Sequence, residues 1–98
     1  MSYTVQYSRR AVTNLQEIYD YISETSIPAA DKVIDEIDGR VADLEQMPAK
    51  YQAYPDKPAY RRMPVGNYLI FYKIFEDRKL VRVYLVIHGK RRFDALLR

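Results

Sequence analysis

The sequence predicts an α+β domain of two layers: an antiparallel helical hairpin packed on one face of a twisted antiparallel sheet, in the order β-α-α-β-β-β, closed by a short helix. Three observations carry this. Two tandem segments repeat apolar residues at helical spacing, three later segments alternate with a period of two, and a proline-rich stretch divides the groups. With 98 residues, 48% of them hydrophobic and 30% charged, the chain reads as one folded domain.

Tyr3, Val5 and Tyr7 alternate with Thr4, Gln6 and Ser8, which describes a short strand with one apolar face. Ser8 is placed to cap the helix that follows, in which Ala11, Leu15, Ile18, Tyr19 and Ile22 share a stripe. Residues 23–28 break it, and Pro28 suits the first turn of a second helix. There Ala30, Val33, Ile34, Ile37, Val41 and Leu44 form the apolar stripe, while acids at 31, 35, 36, 38, 43 and 45 lie mainly off it. So short a break makes the two helices antiparallel neighbours. Their acidic polar faces argue against a membrane-surface role, since anionic lipid would repel them.

Pro48 is expected to end the second helix, and residues 48–59, with three prolines, to form a loop. Strands are expected at 60–65, 68–74 and 80–87. Pro64 marks an edge or a strand end, Gly66-Asn67 supplies a hairpin turn, and the charged residues 76–79 supply another. Residues 88–90 leave the sheet, and 91–97 are expected to form the last helix. Alternation puts Tyr68, Ile70, Tyr72 and Ile74 on one face of the middle strand, with Leu69, Phe71 and Lys73 on the other. In the last strand it puts Val81, Val83, Leu85 and Ile87 together, against Arg82, Tyr84, Val86 and His88. The aliphatic row is expected to meet the helices. The opposite face, with Leu69, Phe71 and Tyr84 beside Arg82, is expected to be open and to bind a partner, unless the loop at 48–59 covers it.

Charge is divided unevenly. Residues 1–56 hold 5 Lys/Arg against 10 Asp/Glu, a balance of −5, whereas residues 57–98 hold 11 against 3, a balance of +8. The second half therefore suits phosphate or an acidic protein segment. The absence of Cys excludes disulfides and thiolate chemistry, and one His makes a zinc site improbable, so no metal and no cofactor are expected. Three glycines make no phosphate-cradling loop. There is no apolar run of membrane-spanning length and no signal-peptide pattern, and the expected location is the cytoplasm. What remains is plain binding, or metal-free phosphate chemistry with His88 as acid or base and Arg61, Arg62, Arg91 and Arg92 as phosphate holders.

Two stretches, YRRMPVGNYLIFYKI at 60–74 and VRVYLVIHGKRRFDALL at 81–97, resemble the RelE/ParE superfamily of toxins, also called plasmid stabilisation proteins, and are closer to ParE than to RelE. The resemblance implies a growth-inhibiting toxin neutralised by a cognate antitoxin. A ParE-like member poisons DNA gyrase and is not a nuclease. A RelE-like member cleaves mRNA on the ribosome, without metal. An inactive homologue that only binds its partner is a third outcome. For RelE-type cleavage the resemblance picks out Arg61 and Arg91, with His88 as a substitute acid or base. Met63 and Leu69 stand where that type carries basic residues, and no Tyr follows Arg91. For the partner, the open face and the basic second half are expected to supply Leu69, Phe71, Arg82 and Tyr84, together with Arg92.

Overall fold

A computed structural model of the chain describes residues 2–89. The helix expected at 91–97, and with it Arg91 and Arg92, lies outside them. Strand β1 (Thr4–Tyr7) leads into helices α1 (Arg9–Ser23) and α2 (Ile27–Ala42). Two single 3-10 turns, Asp43–Glu45 and Pro48–Lys50, then lead to β2 (Ala53–Tyr54), β3 (Lys57–Val65), β4 (Tyr68–Phe75) and β5 (Leu80–His88).

Local chemistry explains the helix starts. The Ser8 Oγ accepts from the Ala11 N–H at 3.1 Å and the Ser26 Oγ from the Ala29 N–H at 3.2 Å. Pro28 sits in the first turn of α2, where a missing N–H costs nothing. Helix α2 ends at Ala42, well before Pro48, because the chain tightens into a 3-10 turn that keeps Leu44 in the core. The expected loop also holds more structure than the prolines suggest, including β2 and the first residues of β3.

The sheet order is β1-β5-β4-β3-β2. β3, β4 and β5 form an antiparallel meander, but β1 pairs with β5 in parallel, Thr4 opposite Leu80 through Tyr7 opposite Val83. The sheet is thus mixed, which corrects the expectation of a wholly antiparallel one. Side-chain alternation is the same in both kinds of strand. Direction comes from the connection, and a parallel pair needs a long one, here through the helices and the meander. β1 is also tied by side chains: the Tyr7 hydroxyl donates to Asp38 Oδ1 of α2 at 2.6 Å, and the Tyr3 hydroxyl donates to Glu76 Oε1 at 2.7 Å. Burial, then that carboxylate, holds the Tyr7 phenol above its usual range.

The main core lies between helices and sheet. Ala11, Ile37, Val41 and Leu44 pack on Met63, Val65, Ile70, Tyr72, Val81, Val83 and Val86. Val86 and not Leu85 joins this set, because β5 carries a bulge. Phe71 pairs with Leu85 while its neighbour Tyr72 pairs with Val83, so Tyr84 is an extra residue. One inserted residue reverses the faces of everything after it. The expected single row from 81 to 87 is therefore split: Val81, Val83 and Val86 meet the helices, and Leu85 and Ile87 turn to the other face. Helix α1 answers the backbone groups that the bulge displaces. Ser8 Oγ donates to the Tyr84 carbonyl at 3.2 Å, and Asn14 Oδ1 accepts from the Val86 N–H at 3.0 Å.

Candidate partner-binding surface

The sheet face turned away from the helices has a closed centre. Tyr54, Phe71, Leu85 and Ile87 form a second cluster, with Tyr60 and Leu69 packed at its margin. Phe71 is 0% and Leu85 1% exposed. The ring of Tyr54, brought by β2, meets Phe71 edge-on at 5.5 Å. The open apolar face expected from alternation is therefore corrected. Phe71 lies beneath the surface, Leu69 is half-buried at its margin, and a residue of the proline-rich stretch is part of the cover.

Around this centre the face is cationic and aromatic. Arg62 lies over the Tyr54 ring at 5.6 Å. The Lys73 Nζ lies 4.5 Å from the centroid of Tyr60 and 5.3 Å from that of Tyr84, and those two rings meet edge-to-face at 5.7 Å. Arg82 stands directly across from Lys73 on β5 and donates to Gln6 Oε1 of β1 at 3.3 Å. Like charges placed opposite one another on neighbouring strands repel. Among the described residues there is a single ion pair, Lys79 with Glu76 at 3.4 Å. The charges of Arg62, Lys73 and Arg82 are thus met by ring faces and an amide, and not by carboxylates. Tyr54, Tyr60 and Gln6 belong to this surface although their types alone gave no sign of it. Lys73 was legible, since it alternates with Phe71.

Arg61 and His88 occupy a different side and opposite ends of it. Arg61 pairs with Tyr72, and His88 with Tyr68, four residues away along β4. At the usual strand rise that is about 13 Å, so Arg61 and His88 do not meet, while Arg91 and Arg92 lie outside the described residues. The Arg61 guanidinium donates to the carbonyls of Tyr51, at 2.5 Å, and Ala49, at 3.4 Å. The Tyr72 hydroxyl donates to the Pro48 carbonyl at 2.6 Å, and Arg40 donates to the Tyr51 hydroxyl at 2.8 Å. Three side chains thus fasten the 48–51 turn to the sheet and α2. Burial pushes the Tyr72 phenol up to about 12, against the pull of the Arg61 charge. His88 packs edge-on against Tyr68 at 5.6 Å and borders a groove of about 430 Å³ between α1 and β5, shared with Asn14, Glu17, Ile18 and Tyr21.

The family model described as "ParE toxin of type II toxin-antitoxin system, parDE" matches residues 5–93. The chain belongs to the ParE toxin family. No curated protein matches the sequence itself. Among solved structures, the ParE-family chain is similar to the chromosomal ParDE TA system from P. aeruginosa, with a TM-score of 0.77 at 18% identity, covering 91% of this chain and 98% of that one. It is similar to the intact E. coli RelBE toxin-antitoxin complex, with a TM-score of 0.68 at 14% identity, covering 92% and 100%. It is similar also to the toxin-antitoxin complex RelBE2 from Mycobacterium tuberculosis, with a TM-score of 0.62 at 19% identity, covering 90% and 92%. At such identities the likeness establishes the shared α+β fold. Among the described residues of the ParE-family chain, no helix is long and apolar enough to cross a membrane.

Proposed function

We propose that this ParE-family toxin inhibits bacterial growth in the cytoplasm by engaging DNA gyrase, and that a cognate antitoxin neutralises it by laying an apolar, acidic segment across the sheet face opposite the helices. The observation that supports binding over RNA cleavage is the state of Arg61. Its guanidinium is taken up by two backbone carbonyls about 13 Å of strand away from His88, so the two groups do not converge on one phosphate. Nuclease catalysis needs its charge-stabilising donors and its acid or base around the same reacting atom. For the antitoxin, the surface on offer is Leu69, Arg82 and Tyr84, with Arg92 assigned to it from the sequence. Phe71 supports that surface from below.

The test is a supercoiling and cleavage assay with purified gyrase. The toxin is expected to make cleaved DNA accumulate, and added antitoxin to relieve this. In the Tyr84→Asp variant, relief is expected to need at least tenfold more antitoxin, as for loss of roughly 1.4 kcal/mol of binding. Codon-phased cuts in mRNA on ribosomes, with gyrase unaffected, reject the gyrase reading. Unchanged relief in a folded Tyr84→Asp protein rejects this face as the antitoxin site.

A further inference from the structure

We propose that the platform of Arg62, Lys73 and Arg82 with Tyr60 and Tyr84 is a binding surface for a nucleic-acid strand, held through its phosphates. The inference builds on the reading of this face as an interaction surface and does not require gyrase to be the target.

The first argument is unanswered charge. Lys73 and Arg82 face each other across β4 and β5, and no carboxylate of the described residues pairs with either. Such an arrangement is disfavoured in the free protein and relieved by a ligand that brings negative charge between them. The second is shape. The cations stand on neighbouring strands of a sheet, so Lys73 is about 5 Å from Arg82 across the strands, and Arg62 is about 8 Å away on the diagonal. A linear ligand with evenly repeated charges matches a flat row of this kind better than a small ion does. The third is the tyrosines. Tyr60 and Tyr84 sit beside Lys73, half-buried, and aromatic groups interleaved with cations are what single-stranded nucleic acid uses, since every base has a face to stack. The fourth divides the face between two occupants. Phe71, Leu85 and Ile87 are buried, so a peptide that needs apolar anchors finds one at the Leu69 end, whereas a phosphodiester strand needs none and suits the Lys73 end. Antitoxin and nucleic acid would then compete for the face, from its two ends.

The experiment measures fluorescence anisotropy of labelled twelve-nucleotide strands, DNA and RNA, and of a DNA duplex, titrated with the purified full-length chain from low to high salt. Neutralising about three phosphates of a single strand predicts a slope of about −2 in log affinity against log salt. Lys73→Gln and Arg82→Gln are each expected to weaken binding several-fold and to reduce that slope by about 0.7. Lys32→Gln, on the exposed face of α2, is expected to change neither. Circular dichroism checks each fold, and Arg62→Gln serves if one of the pair fails it. The ratio of strand to duplex affinity identifies the form of nucleic acid preferred. The proposal is overturned by absence of binding at the lowest salt, by an equal loss in Lys32→Gln, or by platform variants that lose a polyglutamate peptide while keeping DNA. Poisoning of gyrase without DNA binding sinks this inference alone. DNA binding without poisoning sinks the gyrase reading alone.

Discussion

Tyr72 is a fully buried polar side chain of the sheet, 0% exposed, and its hydroxyl donates to the Pro48 carbonyl at 2.6 Å. Tyr72→Phe keeps the ring and leaves that carbonyl without a partner, which costs about 1–2 kcal/mol; urea unfolding at neutral pH measures it. The same residue sets an alkaline limit. Its phenol is raised by burial to about 12, while in the unfolded chain it ionises near the ordinary value of 10.0. The unfolded state therefore loses its proton first, and the stability this group contributes is intact below pH 10 and drains away between about 10 and 12. The unfolding midpoint is expected to fall across that window, and less steeply in Tyr72→Phe. Little of this was legible in the sequence. The Gly66-Asn67 turn that sets Arg61 opposite Tyr72 was legible, but the hydrogen-bond partners of these two residues are loop carbonyls whose position no periodicity encodes.

At the scale of elements, both Ser caps, Pro28 in the first turn of α2, the Gly66-Asn67 turn and all the longer strands follow from local pattern, because each rests on contacts within a few residues. Gly66 at φ +57 is a case where the turn demands its residue. The bulge is the opposite case. With Val83, Leu85, Val86 and Ile87 all apolar, either face assignment satisfies the pattern past Tyr84, and only the pairing with β4 decides it. Asn14 holds that decision in place, so Asn14→Ala is expected to destabilise by about 1–2 kcal/mol through the stranded Val86 N–H, and Asn14→Asp by less, because it keeps an acceptor. Amide exchange at Val86 should quicken in the first variant and stay slow in the second. The candidate surface depends on the same bulge, which places Tyr84 beside Lys73 and closes the centre with Leu85.

For the molecule as a whole, the uneven charge of the two halves becomes a division of faces, with acids on the outer side of the hairpin and cations on the far side of the sheet. That much was readable in advance. The parallel partner of β1 was not, since it joins Thr4–Tyr7 to residues 80–83 across most of the chain. Because β5 lies between β1 and β4, it is the strand on which both halves of the sheet close. A chain stopped at residue 79 is expected to lack cooperative unfolding, and a flat thermal melt would show this; a sharp one would mean that the helices and β3–β4 suffice. The order of synthesis gives this topology a consequence in time. β1 is synthesised long before β5, so their parallel pairing cannot form until residues 80–83 have been made. Contacts of such long sequence separation are also the slow ones to form. Closure of the sheet is therefore expected to come after the helical hairpin and the β3–β4 turn have formed, and in pulse-labelled refolding the β1 and β5 amides are expected to be the last protected.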